Sequence, residues 1–166
     1  GLQVEQSTYP TSYIATTTTA VTRNADVLIA GDMVTDAAGS GYAEVSSIWT
    51  TAASAYYLLN RGLAGRLLYV SSHDSTTINA YDGTNVSIKT GVSYHNRPAP
   101  MASTWGDSLI VYLDGAAGTT AAYDGTMGSG NLGIGNYQTL SNQWNGTVRE
   151  VKIFDSELTA AEVGDL

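Results

Sequence analysis

Acidic side chains are the residues of this chain that could hydrolyse a glycan. A retaining glycoside hydrolase needs two carboxyl groups about 5–5.5 Å apart, which alternating acids along one strand would supply. The chain has five glutamates: Glu5, Glu44, Glu150, Glu157 and Glu162. None lies two or four positions from another acid on a predicted strand. We therefore predict a chain without catalytic residues, the alternative being a pair from distant strands such as Glu44 with Glu150.

The residue types and their spacing give little indication of a metal site or a catalytic nucleophile. Cysteine is absent, which excludes disulfides and thiolate sites. His73 and His95 lack the close spacing of zinc ligands, and no G-x-S-x-G elbow is present. Calcium is the alternative, because five loop acids could ligate it: Asp74, Asp82, Asp107, Asp114 and Asp124. Four of these belong to Asp-Gly or Gly-Asp pairs that turn geometry explains, so no cofactor is predicted.

Size and charge limit the partners. The 166 residues fit one domain, or one domain plus an arm. Fifteen acidic against seven basic residues give a net charge of −8, and only two of the basic residues are lysines. Binding phosphates needs clustered Lys and Arg, so nucleic acid is excluded as the main partner. No apolar run approaches the roughly 18 residues of a membrane span. The start at Gly1 suggests a processed or excised product.

The elements that must position any site are β-strands. Eighteen glycines, many Thr, Ser, Tyr and Val residues and only 13% charged residues favour strands joined by tight turns. Asp-Gly pairs supply the positive φ of hairpin corners. We predict strands near Val27–Met33, Tyr42–Thr50, Ala55–Asn60, Arg66–Ser71, Thr76–Ala80, Val86–Thr90, Pro100–Trp105, Ser108–Leu113, Asn131–Ile134 and Thr147–Phe154. Many short strands of this kind indicate a sandwich or jelly roll.

One helix is predicted, at the C-terminus. Thr159 and Glu162 have the spacing of a capping box, in which each side chain accepts a hydrogen bond from the other residue's amide. Leu158 before the cap and Val163 in the first turn match the hydrophobic staple. The helix should be a short element docked on the sandwich.

The C-terminal residues also carry a family resemblance. The segment from Trp144 to Phe154, followed by Leu158–Val163, resembles the C-terminal signature of the laminin-G-like domains of the concanavalin A-like lectin/glucanase superfamily. The resemblance implies an all-β, two-sheet antiparallel jelly-roll sandwich over residues 27–166. It also implies that Trp49, Trp105 and Trp144 occupy framework positions in the core.

The N-terminal stretch has a second resemblance. Residues 3–6, 10–14 and 20–26 resemble a connector between jelly rolls in tailed-phage virion proteins. This implies an extended arm over residues 1–26, anchored by Tyr9, Tyr13, Ile14 and Val21, with a flexible tail as the alternative. It also implies other virion proteins as partners, homo-oligomer formation and a location on the virion surface.

Carbohydrate binding would need loop aromatics with nearby amides, because sugar faces stack on rings and hydroxyls need planar partners. Two loop clusters fit this description: Asn136, Tyr137, Gln138 and Asn142, and Tyr94, His95 and Asn96. The predicted function is a non-enzymatic virion module, in capsid decoration, fibre or tail, with possible glycan binding. The alternatives are a host-receptor adhesin and a carbohydrate-binding accessory domain of a bacterial glycan-active protein.

Overall fold

A computed structural model describes residues 28–47, 56–62, 65–70, 76–91, 94, 97–135, 144 and 146–166. In these ranges the elements are β1 (Leu28–Ala30), β2 (Gly39–Ser47), β3 (Tyr56–Arg61), β4 (Gly65–Val70), β5 (Ile78–Tyr81), β6 (Val86–Lys89), β7 (Ala99–Trp105), β8 (Leu109–Leu113), β9 (Ala116–Ala121), β10 (Leu132–Ile134), β11 (Gly146–Phe154) and α1 (Ala160–Gly164). The strands form a sheet of order β1-β10-β3-β4-β5-β6 and a second of order β11-β2-β7-β8-β9. All pairings between the described strands are antiparallel, so the predicted fold class is confirmed.

The core lies between the two sheets and follows from side-chain alternation along the strands. On β8, Leu109, Val111 and Leu113 are buried in the core cluster, because residues two apart point to the same face. The other sheet contributes residues such as Leu67 and Ile78. Trp105 and Trp144 are 0% and 8% exposed and belong to the same cluster, which confirms their predicted framework role. Trp49 lies outside the described residues.

Strand β9 was missing from the prediction. Its sequence is rich in alanine and glycine, which have low strand propensity. The preceding turn contained the signal: Asp114 and Gly115 have φ of 50° and 73°, and Leu113 pairs with Ala116 across a two-residue hairpin. Such a turn requires a returning strand. The predicted Asp-Gly corner at this position is therefore confirmed.

The edges of the two sheets meet along β6 and β9. The Ser87 hydroxyl donates to the Thr119 carbonyl and accepts from the Val111 amide, 2.9 Å away. The Ile88 amide donates to the Thr119 hydroxyl at 2.9 Å. Because side chains satisfy these edge groups, this side of the sandwich is closed without a shared strand.

Helix α1 covers part of the outer face of the five-stranded sheet. Thr159 is its N-cap and Glu162 completes the capping box, as predicted. Val163 is 6% exposed and packs with Tyr42, Ala102 and Tyr112 in a second apolar cluster. This docking follows from the sequence, because a helix this short is stable only when its apolar side is packed.

Two further expectations concern membrane-spanning segments and the N-terminal arm. The described residues contain no helix that is long and apolar enough to cross a membrane. The boundary at residue 27 and the arm residues Tyr9, Tyr13, Ile14 and Val21 lie outside the described residues.

Candidate functional site

Two rows of side chains cross the outer face of the six-stranded sheet. The register places Tyr57, Tyr69, Asn79 and Ile88 in one row. It places Arg66, Tyr81 and Val86 in the next. The core lies on the other side, where Leu67, Ile78 and Ala80 are buried. We call Tyr57, Arg66, Tyr69, Asn79 and Tyr81 the Arg66 face.

Irregularities in β4 bring Arg66 and Tyr69 to the same face. Residues three apart on a regular strand would point to opposite sides. Here the register shifts between Arg66 and Tyr69, so that they pair with Tyr81 and Asn79, which are two apart. A bulge of this kind re-aims a side chain. The Arg66 face therefore depends on a local departure from ideal strand geometry.

Three tyrosine rings surround the Arg66 guanidinium. Its central carbon lies 5.3 Å from the Tyr57 centroid, 5.6 Å from that of Tyr69 and 5.0 Å from that of Tyr81. These distances are within the range of cation–π attraction. Tyr57 and Tyr69 are stacked, with centroids 5.8 Å apart and planes inclined by 21°. The Tyr81 hydroxyl donates to the Gly83 carbonyl, which fixes that ring.

Two buried donors on this face lack hydrogen-bond partners. Within the described part of the chain, Arg66 Nε and Asn79 Nδ2 have no acceptor. Asn79 is only 2% exposed. Leaving a buried donor unsatisfied costs about 1–3 kcal/mol, and such groups are rare enough in folded proteins to need an explanation. A ligand that supplies acceptors is one explanation.

The charge on Arg66 is also unbalanced. The other arginines that the structure describes pair with carboxylates: Arg61 with Asp32 and Asp36, Arg97 with Asp114, and Arg149 with Glu44. No salt bridge to Arg66 is found among the described residues. Burial raises the pKa of Tyr69, while Arg66 acts in the opposite direction. The face is therefore cationic, with a protonated tyrosine beside the cation at neutral pH.

The sugar-binding residues predicted from sequence do not belong to the Arg66 face. Tyr94 is 0% exposed, and its ring lies 6.4 Å from that of Trp144. Its prediction as an exposed stacking residue is wrong, because the ring fills the core between the sheets. The remaining candidates lie outside the described residues: Asn136, Tyr137, Gln138, Asn142, His95 and Asn96.

The residues of the Arg66 face were not identified as a site from sequence. Four of them fall within predicted strands, where tyrosine is common, and Tyr81 directly follows the predicted strand Thr76–Ala80, although the structure includes it in β5. The available signal was the repetition of tyrosine at positions 57, 69 and 81 on strands that become neighbours in the sheet. Their convergence on one arginine could not be read without the register.

Glu44 and Glu150 lie directly opposite each other on β2 and β11. Each carboxylate has a cation partner: Arg149 donates to Glu44 at 2.7 Å, and Lys152 lies 3.4 Å from Glu150. Lys152 is also 5.1 Å from the ring centroid of Tyr42, whose pKa is raised by burial first and then by the two glutamates. The fold thus brings together the pair that sequence left as an alternative, with both members held in ion pairs.

A shallow cavity of about 410 Å³ lies beside α1, lined by Asp107, Ile110, Tyr112, Glu157, Leu158, Thr159 and Ala160. The Glu157 carboxylate is occupied by the Asp107 amide at 2.8 Å. Tyr112 is 3% exposed, so its ring offers little stacking surface. The lining contains no cation, and this cavity suits a sugar less well than the Arg66 face.

Three of the loop acids considered for calcium, Asp82, Asp114 and Asp124, have carboxylates engaged in turns or an ion pair. Asp82 accepts hydrogen bonds from the amides of Thr84, Asn85 and Asp124. Asp124 is held by Thr84 and Thr126, which lower the pKa of its carboxyl group. The described residues contain no group of three or more potential metal-ligating His, Asp or Glu side chains. Asp74 lies outside them.

Comparison with protein families gives one match. A family model described as the concanavalin A-like lectin/glucanases superfamily matches residues 11–164. No curated protein sequence matches the chain.

Solved structures show similar folds at low identity. The chain resembles part of a Trypanosoma rangeli sialidase, with a TM-score of 0.61, 17% identity, and coverage of 78% of this chain and 22% of the sialidase. It resembles a "putative carbohydrate binding protein" from Bacteroides ovatus, with a TM-score of 0.64, 13% identity, and coverage of 82% and 43%. It also resembles domain 4 of AbnA, a GH43 extracellular arabinanase from Geobacillus stearothermophilus in complex with arabinotriose, with a TM-score of 0.55, 13% identity, and coverage of 84% and 71%. The chain therefore spans about a fifth of the sialidase and less than half of the Bacteroides protein.

Proposed function

Because this chain belongs to the concanavalin A-like lectin/glucanases superfamily, we propose that it is a non-catalytic glycan-binding module that binds through the Arg66 face. The observation that carries the proposal is the pair of unpartnered donors, Arg66 Nε and Asn79 Nδ2, beside three tyrosine rings. Sugar rings present apolar faces that stack on aromatic side chains and oxygens that accept hydrogen bonds. The Arg66 face holds both kinds of group, rings and hydrogen-bond donors.

The similar structures support this proposal at the level of fold. The Bacteroides protein is named for carbohydrate binding, and the arabinanase domain was solved with arabinotriose. The fold supplies a rigid sheet on which the Arg66 face is built from strand residues rather than from loops. Sites on such elements hold their geometry more closely than sites on loops.

Replacing Tyr69 tests the proposed binding surface. We expect Tyr69→Ala to weaken binding to the best glycan on a polysaccharide panel by about tenfold or more, equivalent to roughly 1.4 kcal/mol. Tyr69→Phe keeps the ring and should retain most of the affinity. Lys152→Gln, on the other sheet, is the control. Equal affinity of Tyr69→Ala and the parent chain, measured by calorimetry on folded proteins, would disprove this location.

The non-catalytic part of the proposal concerns Glu44 and Glu150. A retaining hydrolase needs one carboxyl group as a proton donor and the other as a nucleophile, whereas both are here engaged by cations. We expect no release of reducing sugar from β-glucans or bacterial polysaccharides. Turnover that disappears in Glu44→Gln or Glu150→Gln would show that the pair is catalytic.

The finer proposal is that the module belongs to a tailed-phage virion. It is supported by the resemblance of residues 3–26 to a connector segment. We expect deletion of Gly1–Thr19 to leave the sandwich folded and to abolish incorporation into the particle or oligomer. Extended segments can add to the sheet edge of a neighbour. Normal assembly of the truncated chain, seen by electron microscopy, would favour the adhesin or the bacterial accessory domain.

A further inference from the structure

We infer that the Arg66 face recognises an acidic glycan through a sugar carboxylate. This inference rests on the proposed glycan-binding function and adds the chemical class of the ligand. The carboxylate would accept hydrogen bonds from the Arg66 guanidinium and the Asn79 amide, while the sugar ring packs on Tyr69 and Tyr81.

The first argument is the type of the unpartnered groups. Both Arg66 Nε and Asn79 Nδ2 are donors. A sugar hydroxyl can accept such bonds through its lone pairs, but it also carries a proton that needs its own acceptor. An ionised carboxylate has acceptors only, in a plane that matches the guanidinium fork. A pair of donors with no acceptor is therefore satisfied more completely by a carboxylate than by a hydroxyl.

The second argument is charge. Arg66 has no carboxylate partner among the described residues, whereas Arg61, Arg97 and Arg149 each have one. Bonds between ionised partners are roughly twice as strong as neutral ones. The net charge of −8 acts against an acidic ligand at long range. That repulsion is screened beyond about 8 Å at physiological salt, so the local cation dominates.

The third argument is access. Arg66, Tyr69 and Tyr81 are partly exposed, whereas the two unpartnered nitrogens are shielded from solvent. Engaging them requires a rotamer change in Arg66 or a neighbouring tyrosine. Such a change would break the hydrogen bond between the Arg66 and Tyr69 side chains, but none made by Arg66 Nε or Asn79 Nδ2. Val86, which is 38% exposed, and Ile88 extend the face with apolar surface for the rest of the sugar chain.

The test compares matched polymers with the unaltered protein. Polygalacturonate, alginate and hyaluronan are each assayed by calorimetry beside the same polymer after reduction of its carboxyl groups to alcohols. Neutral β-glucan, arabinan and dextran sulfate complete the panel. We expect at least one carboxylated polymer to bind, and its reduced form to bind at least tenfold more weakly. The affinity for the carboxylated polymer should also fall severalfold between about 0.05 and 0.5 M salt, because salt screens the attraction between charges.

Variants then locate the effect. Arg66→Gln should lose tenfold or more for the acidic polymer and change little for its reduced form. Arg66→Lys should be intermediate, because lysine keeps the charge but lacks the planar fork. Arg149→Gln, which removes one positive charge from the other sheet, is the matched control and should bind normally. Thermal unfolding of each variant checks that the fold is retained.

The outcomes separate the two proposals. Binding of neutral polymers alone, equal binding before and after reduction, or equal binding of dextran sulfate would overturn the carboxylate inference and leave the glycan-binding proposal standing. Loss of affinity in Arg149→Gln equal to that in Arg66→Gln would also overturn it. Failure to bind any polymer would overturn the glycan-binding proposal and the inference with it.

Discussion

Replacing Trp105 by alanine is expected to lower the free energy of unfolding by about 3–5 kcal/mol, the usual cost of removing a buried tryptophan. The side chain is 0% exposed and belongs to the core cluster. Its indole nitrogen donates to the Thr35 carbonyl at 2.9 Å, which ties the segment before β2 to the core. The ring also lies so close to Gly39 that a Cβ there would be 2.3 Å from it.

Trp105→Phe separates the two contributions of this residue. Phenylalanine keeps an aromatic ring but loses the hydrogen bond, so its destabilisation should be clearly smaller than that of alanine. Both are measured by urea denaturation followed by circular dichroism. A loss below 1 kcal/mol for Trp105→Ala would mean that the ring does not pack in the core.

Replacing Gly65 by alanine is the second large effect, with an expected destabilisation of about 3 kcal/mol or more. A Cβ at this position would lie 1.8 Å from the Met127 carbonyl oxygen and 2.6 Å from its carbon. Overpacking usually costs about 1–3 kcal/mol because side chains can move. Here the clashing atoms belong to the Met127 backbone, which cannot rotate away as a side chain can. The loop that carries Met127 must therefore move away from the β3–β4 hairpin.

Gly31→Ala is the matched control for that prediction. No atom lies within 4 Å of a Cβ at Gly31, and its φ is not in the left-handed region. Such a substitution should be neutral, or stabilising by up to about 1 kcal/mol through the unfolded chain. Denaturation midpoints of the two variants give the comparison. Equal midpoints would show that the close approach at Gly65 is absent in solution.

The consequences of these substitutions for binding should be indirect. Neither Trp105 nor Gly65 belongs to the Arg66 face, although Gly65 directly precedes Arg66 on β4. A folded Gly65→Ala variant with altered register would therefore lose binding as well as stability. Trp105→Ala, if still folded, should bind with the affinity of the parent chain.

The sequence alone determined the architecture of this protein and the start of its helix. Alternating apolar residues, as in Leu109, Val111 and Leu113, specify strands buried on one face. Thr159 and Glu162 specify the helix start through local hydrogen bonds. Such features depend on neighbours within a few residues, which is why they can be read along the chain. The family signature near the C-terminus was readable for the same reason.

Only the tertiary structure decided which side chains meet. Tyr94 looked like a loop residue, but the packing between the sheets buries it against Trp144. Glu44 and Glu150 are over a hundred positions apart in sequence, and strand pairing places them opposite each other.

The candidate site shows the same limit most clearly. Tyr57, Tyr69 and Tyr81 converge on Arg66 through the register of three strands and a bulge in one of them. A shift by one residue moves a side chain to the other face of a sheet. Register is set by contacts between segments that are distant in sequence. The alternation of side chains along a single strand therefore does not determine which residues pair across the sheet. The strands were thus encoded locally, whereas the candidate site was decided by how they pair.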